Sequence, residues 1–175
     1  VAVGAGQFAA IGNPYASAID FTMISRSGGV ENKFYVCDPT LGGTFGYGGY
    51  QTISAAAGWI PSSHGTTNYP TLTANSRIQS GQAFLVHATG TSGTVVFAET
   101  NKVSNSAVVF RPAGANLSVM RTALYAGSGN TAVIADGNTV AFDRNYRNDY
   151  DGNDALKMMN PGENFGISRF SKILS

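Results

Sequence analysis

Ala83-Phe-Leu-Val-His-Ala88, Thr89-Gly-Thr-Ser-Gly93 and Thr94-Val-Val-Phe-Ala-Glu99 follow one another without a break. The first piece is apolar and rich in strand formers. The second carries two glycines among hydroxyl residues, and the third returns to valine and phenylalanine. That order reads as a strand, a hairpin connection at 89–93 and its partner strand. Working outward, the same grammar recurs. Gln7 to Gly12, Lys33 to Asp38 and Tyr50 to Ser54 read as strands on the N-terminal side. Val108 to Phe110, Asn116 to Tyr125, Thr131 to Ala135, Thr139 to Phe142, Phe165 to Phe170 and Lys172 to Leu174 continue the series. Asp136-Gly137 is a second hairpin signal. Phe21 to Ile24 reads as one helical turn or a loop, and only Asn153 to Met159 has room for a longer helix. Eleven short strand-like segments separated by turn signals, expected to give about nine or ten strands, predict an all-β chain, a jelly-roll-like β-sandwich with long Gly-rich loops formed as a single module over residues 1–175.

Composition supports that class. Charged residues make up 12% of the chain and glycine accounts for 22 of its 175 residues. Ser, Thr, Asn and Gly stand where Lys and Glu usually stand, which disfavours helices and favours strands and turns. The net charge of +1 gives no electrostatic case for nucleic acid or for an anionic membrane. No apolar run approaches the roughly 18–20 residues of a membrane helix. Cys37 is the single cysteine, so no intrachain disulfide forms. Its place in a strand predicts a buried, inert thiol. Val1 opens directly on strand-like sequence and the last residues also read as strand, so a processed piece or a domain of a longer polypeptide is expected.

The chemistry-bearing residues gather late in the chain. Six of the ten acidic residues lie between Asp136 and Glu163. Asp149-x-Asp151-Gly-Asn153 matches the first positions of an EF-hand calcium loop, where oxygens at alternate positions wrap a hard cation. Asp154 stands where that loop needs glycine, and Asn160 where it needs a bidentate Glu. A looser calcium site built from Asp143, Asp149, Asp151, Asn153 and Asp154 is one reading. The other makes these acids turn-formers and caps, paired with the interleaved Arg144, Arg147 and Lys157. Lys157 also raises a third possibility, a covalent cross-link from a buried lysine to Asn or Asp.

A second group is aromatic. Tyr47, Tyr50, Trp59 and Tyr69 lie in glycine-rich loops, where exposed rings stack on sugar faces or cap the ends of a core. Catalytic signals are thin. His64 and His87 are the two histidines, and His87 lies within a strand as a packed residue would. No Gly-x-Ser-x-Gly elbow or zinc-spaced His/Cys cluster is present. The acidic residues share one loop, whereas glycosidase pairs usually come from separate strands. A non-enzymatic chain is expected.

Ile11-Gly-Asn-Pro-Tyr-Ala-Ser-Ala-Ile-Asp20, Tyr35-Val-Cys-Asp-Pro39, Ile78-Gln-Ser-Gly-Gln-Ala-Phe-Leu-Val86, Asp143 to Lys157 and Asn164 to Ile167 follow one another along the chain. In that order they resemble segments of β-sandwich modules of secreted surface proteins from Bacteroidota. Ala16 and Phe21 depart from the frequent Pro and Trp. Such modules usually precede a C-terminal sorting domain of the type IX secretion system. The resemblance implies secretion, a cell-surface or filament setting, and a role in adhesion or assembly. Neighbouring domains or identical subunits are the implied partners. A carbohydrate-binding module using the aromatic loops is the alternative.

Overall fold

The computed structural model describes residues 1–38, 41–42, 47–62, 76–104 and 118–175. The expected strand at Val108 to Phe110, together with Phe45, His64 and Tyr69, lies outside them. The described chain is all-β, with twelve strands in antiparallel sheets and three single 3-10 turns. No helix in it is long and apolar enough to cross a membrane.

The organising strand is the one that opened the reading. In the order β1 (Ala2–Val3), β2 (Phe8–Gly12), β3 (Ile19–Asp20), β4 (Ser25–Val30), β5 (Lys33–Asp38), β6 (Gly49–Ser54) and β7 (Arg77–Ile78), the chain reaches β8, Ala83–Val96. The expected hairpin at 89–93 does not form, because β8 runs straight through it. Its first half pairs with β2 on one side and touches β5 through Leu85 and Tyr35. Its second half pairs with β4 and β1. Gly90 has φ 62° and lets the strand bend between its two sets of partners. Gly28 and Gly93 face each other across β4 and β8, where a Cβ on either would run into the opposing backbone. Glycine here marks a close strand crossing, not a turn.

Inside this sheet system lies the main core. Phe21, Phe34 and Phe84 are buried and meet one another at 4.8–6.1 Å between ring centroids. Asn13 closes the neighbouring Asn-Pro turn. Its side-chain amide donates to the carbonyls of Ser17, Ile78 and Gln79, and its Oδ1 accepts from Tyr15 N. One buried Asn thereby satisfies backbone groups of two chain segments, 13–17 and 78–79.

The C-terminal part is two hairpins. β9 (Ser118–Ala126) pairs with β10 (Val133–Phe142), and β11 (Ile167–Arg169) pairs with β12 (Lys172–Leu174). Asp136-Gly137 does not turn the chain. It sits at a bulge within β10, where the register shifts between Ile134 and Asp136. Phe170 and Ser171 make the β11–β12 turn with φ 48° and 59°, the primed geometry normally given to Asn-Gly. Residues 153–159 are turn and extended chain rather than helix. Cys37 corrects another expectation: it is exposed although the rest of β5 is buried, including Lys33 and Tyr35 on its own face of the strand.

Candidate functional site

Two buried charge clusters frame the site, and both were missed as such in the sequence. The bulge turns Asp136 inward until its side chain is fully buried. Its carboxylate accepts from Lys157 Nζ at 2.5 Å, from Gly137 N at 2.8 Å and from Phe165 N at 2.7 Å. Lys157, also buried, is fixed by its own backbone N–H to Ile173 O. The pair therefore ties β10 to the segment leading into the last hairpin.

The second cluster centres on Glu31. One carboxylate oxygen lies 2.8 Å from His87 Nδ1, and the other lies 2.9 Å from Lys33 Nζ. The Lys33 contact is a buried ion pair. Lys33 Nζ also donates to the backbone carbonyl of Asp154, so the cluster holds the acidic segment against β5. Burial pushes the Lys33 ammonium down, opposed by Glu31 and then by Asp154 and Asp151. Burial, with Glu31 nearby, pushes the Tyr35 phenol well up, and its hydroxyl has no hydrogen-bond partner among the described residues. Tyr150 is pushed up to about 12 by burial, Glu31 and Asp154. Phe8 covers His87 at 4.6 Å and Tyr35 at 5.3 Å between ring centroids.

The acidic segment divides into two turns. Asp143 Oδ1 accepts from the backbone and side-chain N–H groups of Asn145, both at 2.9 Å. Asp151 Oδ1 accepts from Asn153 N at 2.8 Å, and Asp154 Oδ2 accepts from Asp151 N at 2.9 Å. Asp149 and Asn153 are exposed. Among the described residues no group of three or more His, Cys, Asp or Glu side chains is gathered as a metal site would be. The observed bonds are those of Asx turns and caps.

Between this segment and the sheet is a cleft of about 140 Å³. β6 contributes Thr52 and Ser54, β10 contributes Asn138 to Ala141, and the acidic segment contributes Tyr146, Arg147, Asp151, Asn153 and Asp154. Ile167, Arg169 and Leu174 of the last hairpin complete it. Three of the five residues considered for calcium thus line one cleft, while Asp143 and Asp149 are not among its lining residues. Of the aromatic loop residues, the described Tyr47, Tyr50 and Trp59 do not line this cleft. Trp59 packs inward, 5.9 Å from Phe21 and 6.3 Å from Phe34 between centroids. Tyr47 is 71% exposed, and Tyr50 is half-buried with its backbone N–H on Asn160 Oδ1.

The signal for the missed residues was present but ambiguous. Glu31 and Lys33 border an apolar strand, which suits a solvent-facing strand end equally well. Asp-Gly is a common sequence of a tight turn, so a bulge that buries the aspartate is invisible without its lysine. Compared with known proteins, the chain matches no protein-family model, no curated protein and no solved structure.

Proposed function

We propose that this chain is a non-enzymatic extracellular module, a jelly-roll-like β-sandwich within a larger secreted bacterial surface protein or filament, working in adhesion or assembly. The observation that carries the reading is the contrast between inside and outside. The lysines, the carboxylates and the histidine best suited to catalysis are locked in buried pairs, while apolar side chains project from both C-terminal hairpins. Met120 is 53% exposed, Phe142 55% and Phe170 58%. Exposed apolar side chains of this size suit contact with another surface. The partners would be neighbouring domains of the same polypeptide or identical subunits, and the type IX secretion route suggested by the resemblance would deliver it. Bound calcium at the acidic segment would be an addition to this role, not its basis.

The test is adhesion by the purified chain. Beads coated with it should clump or hold to a surface carrying more of the same chain. A Met120→Lys, Phe142→Lys double variant should adhere less while melting at the same temperature. Beads that stay dispersed with both proteins would count against the reading.

A second reading, a carbohydrate-binding module, is favoured by the cleft. Its lining mixes hydroxyl and amide groups with aliphatic side chains, as the edges and faces of a sugar require.

A further inference from the structure

The cleft has a chemistry of its own. Its charged lining is balanced, with Arg147 and Arg169 against Asp151 and Asp154. A strongly anionic or cationic ligand would meet as much repulsion as attraction there. The neutral polar groups are held in place by internal bonds. Thr52 Oγ1 donates to Ser175 Oγ at 2.7 Å, Ser54 Oγ accepts from Ala57 N, and Asn138 Nδ2 donates to Leu174 O. Tyr146 OH donates to Ala56 O at 3.2 Å. Such groups present fixed lone pairs and donors and need little ordering when a ligand arrives. Ile60, Val140 and Ala141 add apolar surface to the same cleft. Arg147 and Asn153 are exposed at its margin, and their side chains have no protein partner among the described residues. A cavity of about 140 Å³ is close to the size that admits a single six-membered ring.

We propose that this cleft receives one ring of a neutral sugar belonging to a surface glycan. The hydroxyls would meet Arg147, Asn153 and the fixed hydroxyl groups, and the C–H face would lie on the aliphatic side chains. The proposal rests on the carbohydrate-binding reading and moves its site from the aromatic loops to the cleft. A neutral ring satisfies all the lining groups at once: amphipathic walls, balanced charge, and donors beside acceptors.

Saturation-transfer NMR on the full chain tests it. The probes are the methyl glycosides of glucose, galactose, mannose and N-acetylglucosamine, with alanine as a small zwitterion. At least one glycoside should receive saturation. Arg147→Ala and Asn153→Ala, both at exposed positions, should weaken it about tenfold and about fivefold respectively, the scales of one charge-assisted and one neutral hydrogen bond. Ala141→Phe should fill the cleft and abolish it, and Tyr47→Ala should leave it unchanged. If Ala141→Phe fails to fold, the two exposed substitutions decide the matter. Alanine binding in preference to every glycoside would overturn the ligand class. Glycoside binding that survives the cleft variants but is lost in Tyr47→Ala would overturn this site and keep the carbohydrate reading. No glycoside binding would overturn both.

Discussion

The two ends of this molecule are held together by different means. Around β8 the chain packs as apolar matter does, with phenylalanines from separate segments meeting in one buried cluster. Around β10 the buried apolar cluster among the described residues is small, Leu41 and Ile134 with Ala123 against it. There the joints are polar: Lys157 on Asp136, Asn138 on Leu174 O, and Asn160 on Tyr50 N. Apolar packing is non-directional and tolerates substitution by volume. A buried ion pair is directional and intolerant of losing one partner. The β8 region should therefore respond to changes in size, and the β10 region to changes in charge.

The largest expected effect comes from Glu31, which serves two buried partners, the Lys33 ammonium and the His87 ring. Glu31→Gln leaves Lys33 without its counter-charge and should cost about 3–5 kcal/mol in denaturant unfolding. A loss below about 1 kcal/mol would mean that water or another group reaches Lys33. Phe34→Ala, in the apolar region, should cost a similar amount, about 3–5 kcal/mol, through its cavity. Phe34→Leu should recover most of that, whereas no neutral replacement of Glu31 should, and this contrast separates the two kinds of joint.

Smaller effects come from the tyrosines beside Glu31. The Tyr35 hydroxyl is buried without a partner among the described residues, so Tyr35→Phe should raise stability by about 1 kcal/mol. Tyr150 keeps its proton in the folded chain up to about 12, above its ordinary 10.0. Its contribution is complete below the unfolded value and is lost as pH rises through the folded one. Lys33 works in the opposite sense. Its folded value lies below 10.5, so the cost of its buried ammonium is relieved as pH rises through that lowered value. Unfolding midpoints followed into the alkaline range should fall above about pH 10, and fall less steeply in Tyr150→Phe. An equal fall in both proteins would remove Tyr150 from the account.

The smallest expected effect is none. Asp143, Asp151 and Asp154 are engaged as turn-formers, so the melting temperature should be the same in calcium and in EDTA. A calcium-dependent rise would place a cation on the acidic segment. The same sample should show the intact mass of the sequence. A deficit of one water would mean that Lys157 and Asp136 have condensed to an amide and are not an ion pair.

Much of the strand content was legible because the chain writes it locally. β5 falls at Lys33–Asp38 as the apolar run implies, and β6 is offset by one residue. The errors share a cause. Thr89 to Gly93 and Asp136-Gly137 have turn composition, yet both lie inside strands. Gly90 bends β8 between two sets of partners, and Asp136 bulges to reach a lysine 21 residues away. Glycine and aspartate permit these geometries as readily as turns, and only the distant partner decides. The site was half legible for the same reason. The density of Asp and Asn pointed to the segment that lines the cleft, but β6, β10 and the last hairpin are brought to it by tertiary contacts that no local pattern records. Trp59 turns inward at φ 61°, which its glycine-rich surroundings do not announce.

The most direct test of polar joining at the C-terminal end is a double-mutant cycle on Lys157 and Asp136, read by denaturant unfolding. Lys157→Met alone should cost about 3–5 kcal/mol, because it strands a fully buried carboxylate. Adding Asp136→Leu should restore a large part of that loss, with a coupling energy of about 2 kcal/mol or more. Two small, additive effects that sum within about 0.5 kcal/mol would contradict the account and return the β10 region to ordinary apolar packing.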